Sequence, residues 1–158
     1  MIKRTVLAIF ISSSSLVGCI TTPTISAQQR PPHWGKVIDQ PDNFYQISEQ
    51  LFRSEQPDAE LIPQLKAHNI DAVINLRSRN ADLAVLPSTD FQLIHIPINT
   101  WAMNRDDLLQ VMQHIQQAQK LNQKVLIHCY HGSDRTGASV DMYRIIFENW
   151  PTEDALNE

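Results

Sequence analysis

The sequence predicts an α/β fold: a single domain with a central, mostly parallel sheet flanked by helices. Three observations carry this reading. Short β-rich runs alternate with segments of helical period along most of the chain. Two of those runs, AVINL at 72–76 and KVLIH at 124–128, are nearly continuous in apolar residues, as in strands covered on both faces. The 158 residues, 42% of them hydrophobic, are enough for one core and cramped for two.

Each element has its own signal. The runs at 44–48 and 51–54 are short, apolar and separated by polar residues, which predicts a hairpin. Residues 58–68 place Leu61, Leu65 and Ala67 on one side of a helix, which Pro63 confines or kinks. Strands are predicted at 72–76 and 92–96. Residues 106–121 carry Leu108, Val111, Met112, Ile115 and Ala118 at helical spacing. A strand at 124–128 follows, then a helix over 136–148 with Ala138, Met142, Ile145 and Ile146. The pair Trp150-Pro151 ends that helix and opens another at 152–158. No internal repeat is present.

The N-terminus is an address rather than part of the fold. Lys3 and Arg4 precede a mostly apolar run over 5–17, too short and too serine-rich for a membrane span. It ends Leu16-Val17-Gly18-Cys19, which resembles the bacterial lipobox. That resemblance implies cleavage before Cys19, lipidation of its sulfur, and export to the periplasmic face of a bacterial membrane. Ile20 after the cysteine, in place of Asp, fits sorting to the outer membrane. Residues 1–18 are therefore read as a signal peptide, 19–43 as a Thr-, Gln- and Pro-rich tether, and 44–158 as the folded domain.

Composition excludes several classes. Two cysteines cannot build a disulfide scaffold or a four-thiolate zinc site. A net charge of −4 argues against a nucleic-acid binder that relies on a broad basic face. Two of the four glycines, Gly132 and Gly137, fall close together just after the 124–128 strand.

That turn carries the chemistry. Residues 124–140 read KVLIHCYHGSDRTGASV, a buried strand, a loop and a helix start. Such a loop can aim several backbone N–H groups at one centre, and the helix N-terminus adds about half a positive charge. Together they suit a tetrahedral dianion. Gly132 permits unusual backbone angles, and Arg135 can fork two anion oxygens. Cys129 sits at the base of this field, which favours its thiolate. A thiolate beneath a phosphate is a nucleophile aimed at phosphorus. A metal site from His128, Cys129 and His131 is disfavoured, because alternate strand residues face opposite ways and no second cysteine is at hand.

The segment HCYHGSDRTG resembles the active-site loop of the cysteine-dependent protein-tyrosine phosphatases, His-Cys-x5-Arg-Thr/Ser. The run LFRSEQP at 51–57, VINLR at 73–77 and the Trp101-containing loop are similar to a small bacterial dual-specificity-like branch. The resemblance implies that Cys129 is the nucleophile and forms a phosphocysteine. It makes Arg135 the phosphate ligand within a loop of Tyr130, His131, Gly132, Ser133, Asp134 and Arg135. Thr136 would hydrogen-bond the departing thiolate, and His128 would orient the loop and depress the thiol pKa. It also implies no cofactor and no metal, a phosphorylated protein as partner, and a monomer. Relatives continue with more helix beyond the point where this chain stops, so a truncated C-terminus is expected.

The general acid is less defined. The stretch Pro97–Met103 holds no carboxylate. Asp106 and Asp107 are the nearest, and Asp107 is favoured because atypical members of the family place an aspartate at about this distance. The same Asp107 could instead answer Asn104 in a helix cap, and one residue could do both. Asp134 is a third candidate, at a position where the myotubularin-like phosphatases also carry an aspartate; a structural bond to the loop backbone competes with that role. The loop lacks Lys and Arg between Cys129 and Arg135 and contains one acid, which tilts the substrate from inositol polyphosphates towards phosphoprotein. Arg77, Arg79 and Arg105 either rim the site or are solvated loop charges. Trp101 either stacks on a phenolic ring or anchors a loop or core.

Overall fold

The computed structural model describes residues 27–158. The chain divides into two units, 1–30 and 31–158. The described part of the first holds a single 3-10 turn, Ala27–Gln29. The expected signal peptide, Cys19 and the start of the tether lie outside the described residues.

The second unit is built on a six-stranded sheet. In chain order its strands are β1 (Lys36–Asp39), β2 (Phe44–Gln46), β3 (Leu51–Ser54), β4 (Ala72–Asn75), β5 (Gln92–His95) and β6 (Val125–His128). Their order across the sheet is β1-β2-β3-β6-β4-β5. The first two pairings are antiparallel, and β3–β6, β6–β4 and β4–β5 are parallel. The expected hairpin and parallel sheet are thus both present.

The folded unit starts earlier than the expected boundary at 44. Lys36 pairs with Gln46 and Val37 with Tyr45, so β1 belongs to the sheet, and Gly35 N donates to a carboxylate oxygen of Glu158. The tether reading missed this because the strand is only four residues, KVID, in the short stretch between Pro32 and Pro41, too few for an alternation to stand out.

The helices are α1 (Ile62–Ala67), α2 (Arg105–Lys120), α3 (Asp134–Phe147) and α4 (Thr152–Asn157). The first is shorter than expected. Asp58 accepts from the N–H groups of Glu60 and Leu61, so the leading residues form a side-chain-capped turn, and Pro63 sits in the first turn of the helix proper. Left-handed residues follow three helices: Asn69, Asn122 and Asn149, with φ of 55°, 54° and 57°. In a chain so poor in glycine, asparagine takes the place that glycine usually fills.

Alternation along the strands feeds two cores. Ala72, Ile74, Val125 and Ile127 pack with Val111, Met112 and Ile115 of α2 and Val140 and Tyr143 of α3. On the other face Val73, Leu126 and Phe52 meet Leu61 and Leu65 beside α1. β6 is buried along its whole length and lies between β3 and β4. His128, its last residue, is in register with Ser54 on one side and Asn75 on the other. The fold therefore presents the residue after His128 at the carboxyl edge of a parallel sheet, where ligand sites of α/β proteins gather.

Candidate active site

That residue is Cys129, a free thiol only 1% exposed. Residues 129–133 form a loop, and α3 begins at Asp134, two residues before the expected start. Arg135 and Thr136 thus lie in the first turn of α3, and both are buried.

Gly132 is the pivot of the loop. Its φ is +73°, which L side chains rarely adopt. A Cβ there would also lie 2.6 Å from the carbonyl oxygen of Ser54, on β3. The glycine answers both a backbone demand and a close approach.

The electrostatics of Cys129 follow from what surrounds it. Burial alone would raise the thiol pKa. The Thr136 hydroxyl, the N–H groups of Thr136 and Gly132, and the Arg135 charge act the other way and leave the pKa below the ordinary thiol value. The Arg135 guanidinium is held from behind, with Nη1 donating to the carbonyls of Ile98 (3.2 Å) and Leu76 (3.4 Å). Its Nε is buried and finds no partner among the described residues. A buried, unpaired guanidinium N–H beside a thiol of lowered pKa is a ready donor for an anion.

His128 precedes Cys129 at the end of β6 and is fully buried. Its Nδ1 faces the carbonyl of Cys129 at 3.1 Å and its Nε2 faces Asp82 Oδ2 at 2.9 Å. Each ring nitrogen thus faces an oxygen, and the two contacts fix the ring between Cys129 and Asp82. Asp82 is 1% exposed and also accepts from Asn75 Nδ2 (3.0 Å) and Gln56 Nε2 (2.9 Å). Burial pushes its pKa up, but the His128 hydrogen bond and charge, with the Gln56 hydrogen bond, bring it below the usual aspartate value. Gln56 in turn accepts from Arg77 Nη1 at 2.8 Å, and the Arg77 guanidinium lies 4.9 Å from the Tyr130 ring centroid. Arg77 therefore braces the loop, whereas Arg79 and Arg105 are exposed.

Sequence reasoning missed Asp82, Asn75 and Gln56. Asn75 had a usable signal, a polar residue closing a buried apolar strand. Asp82 had none, because it sits in a 3-10 turn (Asp82–Ala84) within a polar segment without periodicity.

The carboxylates considered as acids divide by location. Asp106 and Asp107 lie in the first turn of α2. Asn104 Oδ1 accepts from the N–H groups of Asp106 and Asp107, and Asp107 Oδ2 accepts from Asn104 N at 3.0 Å, a reciprocal cap. Asp134 is exposed at the start of α3. Trp101 is 95% exposed, which corrects its reading as a core anchor; it lies in a 3-10 turn, Thr100–Ala102, whose cap is Asn99. Among the described residues no group of three or more His, Cys, Asp or Glu is arranged to hold a metal.

A cysteine of lowered thiol pKa at a strand end, a glycine-hinged loop and an arginine in the following helix thus come together at the carboxyl edge of the sheet. The model of the dual specificity phosphatase catalytic domain matches residues 51–158, and the chain belongs to that family. It is 30% identical over 133 residues to the dual specificity protein phosphatase TpbA of Pseudomonas aeruginosa strain UCBPP-PA14, a match covering 84% of this chain and 60% of that one. The crystal structure of P. aeruginosa TpbA, as a cysteine-to-serine variant in complex with phosphotyrosine, superposes with a TM-score of 0.76 at 29% identity, covering 81% of this chain and 78% of that one. The inositol diphosphatase DSP5 of Arabidopsis thaliana is 27% identical over 132 residues, covering 78% of this chain and 63% of that one. The chain thus spans about 60% of the length of the curated relatives it matches.

Proposed function

We propose that the protein is an exported, membrane-tethered phosphatase that hydrolyses phosphotyrosine, with phosphoserine and phosphothreonine as secondary substrates, through a phosphocysteine intermediate. The observation that carries this is the arrangement at the end of β6: Cys129, the loop hinged at Gly132, and Arg135 in the first turn of α3 with a buried Nε that has no partner among the described residues, a setting that lowers the thiol pKa. The similarity to a protein solved in complex with phosphotyrosine supports the substrate class.

The chemistry has two steps. The Cys129 thiolate attacks phosphorus, an S–P bond forms, and the P–O ester bond breaks. Arg135 and the loop N–H groups hold the three equatorial oxygens as charge spreads over them. The leaving oxygen takes a proton from a carboxylic acid, assigned here to Asp107, with Asp106 and Asp134 as alternatives. Water then attacks phosphorus and gives a proton to the carboxylate left by the first step, the S–P bond breaks, and Thr136 donates to the departing thiolate. No step calls for a metal, and chelators should leave turnover unchanged.

Export and tethering rest on residues 1–19, with lipid on Cys19 as the anchor. The partners in this reading are a phosphorylated protein and a bacterial membrane, and the enzyme is a monomer on the periplasmic side. A second reading, hydrolysis of inositol phosphates, is favoured by the likeness to the Arabidopsis inositol diphosphatase. Asp134 within the loop opposes it, because it would repel a highly charged substrate. Turnover of a phosphotyrosine peptide and of an inositol polyphosphate, measured side by side, decides between them. A higher kcat/KM for the peptide is expected, and the reverse order would overturn the choice.

A further inference from the structure

Three consecutive carbonyls of the loop are held by donors from a single early stretch of chain. Gln56 N donates to Tyr130 O at 3.1 Å. Asn43 Nδ2 donates to His131 O at 2.9 Å. Arg53 Nη2 donates to Gly132 O at 2.6 Å. Arg53 belongs to β3, the strand beside β6, Gln56 follows it closely, and Asn43 immediately precedes β2, the strand paired with β3 on its other side. None comes from α3, the helix the loop opens.

The consequence follows from the peptide plane. In a trans peptide the C=O of one residue and the N–H of the next point in opposite directions, and the chain has no cis bond among its described residues. Drawing the carbonyls of residues 130, 131 and 132 towards β3 turns the N–H groups of His131, Gly132 and Ser133 the other way. One of the three can be checked: the Gly132 N–H is among the groups that lower the Cys129 thiol pKa. Its peptide partner is the His131 carbonyl that Asn43 holds. Asn43 also stands where a Gly132 side chain would, with Nδ2 2.8 Å from an added Cβ, so the two residues are in direct packing contact. Asn43 has a φ of 50°, which asparagine tolerates better than most residues.

We propose that Asn43 and Arg53 are positioning residues for phosphoryl transfer: by holding the His131 and Gly132 carbonyls outward, they aim the loop N–H groups at the thiolate and at the substrate phosphate. The proposal rests on the phosphatase reading of this loop. Arg53 contributes a second way, because its charge lies on the loop and adds to the field that holds an anion. Neither residue touches the reacting atoms.

The test uses the full chain with the variants Asn43→Gly, Asn43→Asp, Arg53→Met and Arg53→Lys. Asn43→Gly keeps the left-handed backbone and removes the donor. Asn43→Asp keeps shape and sets an acceptor against a carbonyl. Two readouts are independent of turnover: the pH dependence of Cys129 alkylation by iodoacetamide, and the affinity for orthovanadate by calorimetry. The third is kcat with a phosphotyrosine peptide. Asn43→Gly, Asn43→Asp and Arg53→Met are expected to raise the apparent thiol pKa by about one unit, weaken vanadate and lower kcat by about tenfold or more. Arg53→Lys should recover part of each. If these variants melt earlier yet keep the wild-type alkylation profile and vanadate affinity, the residues are merely structural and the proposal fails. Should the wild type release no phosphate from any ester, the phosphatase reading fails by itself, and the alkylation profile still decides the positioning role.

Discussion

The carboxylate of Asp82 stands 2.9 Å from Nε2 of His128, and both side chains are closed off from solvent. Forty-six residues separate them in sequence. The pair joins the 3-10 turn after β4 to the end of β6, and through the Cys129 carbonyl it reaches the loop.

Asp82→Asn keeps the shape of the carboxylate and removes its charge. His128, Gln56 and Asn75 then lose a charged acceptor. A stability loss of about 1–3 kcal/mol is expected, since three buried hydrogen-bonding groups are left with a weaker or mismatched partner. The Cys129 alkylation profile should move to higher pH. The sign of the pH dependence also follows. The folded-state pKa of Asp82 lies below its unfolded value. Its stabilisation is therefore full above the unfolded carboxylate value and is lost as pH falls through the folded one. Acid denaturation monitored by circular dichroism should begin at higher pH in the variant, and coincident curves would contradict the account.

A second expectation concerns the leaving group. If Asp107 donates the proton, Asp107→Asn removes the basic limb of the pH–kcat profile and lowers kcat by about 10²-fold. The loss shrinks for a nitrophenyl ester, whose leaving group needs little protonation. Asp106→Asn and Asp134→Asn should retain the limb. Because Asp107 also accepts from Asn104 N, the variant should lose up to about 1 kcal/mol of stability as well, which thermal denaturation separates from the catalytic effect. Loss of the limb in Asp134→Asn alone would transfer the role.

These cases show what the sequence made legible. The loop was readable because its signals are local: an apolar strand, Cys129, Gly132, Arg135 and a helix start fall within a dozen residues. The parallel sheet was readable because β4 and β6 are covered on both faces and so are apolar up to their last residues. The supports of the loop were not readable. Asn43, Arg53, Gln56 and Asp82 act through tertiary contacts across 46 to 88 residues of chain; Arg53 and Gln56 fall in the family-like run at 51–57, but nothing local to any of the four says what it holds. β1 escaped for a different reason, since a four-residue strand between prolines leaves no period to detect.

Asp141, on α3, offers a stability test away from the chemistry. Burial pushes its carboxyl up to about 6, Arg53 pulls it down, and Glu158 adds to the rise. The folded state thus prefers the protonated form. The contribution of Asp141 to stability is therefore most favourable at low pH and declines as pH rises from the unfolded carboxylate value to about 6. Asp141→Asn should raise the melting temperature at pH 7.5 by an amount worth on the order of 1–2 kcal/mol, allowing for solvent screening. The gain should vanish near pH 4. A lower melting temperature at neutral pH would mean that the attraction to Arg53 outweighs burial.

The central claim is that Cys129 carries the phosphoryl group. Rapid acid quench of the wild type during turnover of a phosphotyrosine peptide, followed by peptide mass spectrometry, should find one phosphoryl group on Cys129. Cys129→Ser should show none while still binding the peptide. Phosphate on another residue, or near-wild-type turnover by Cys129→Ser, would contradict the account.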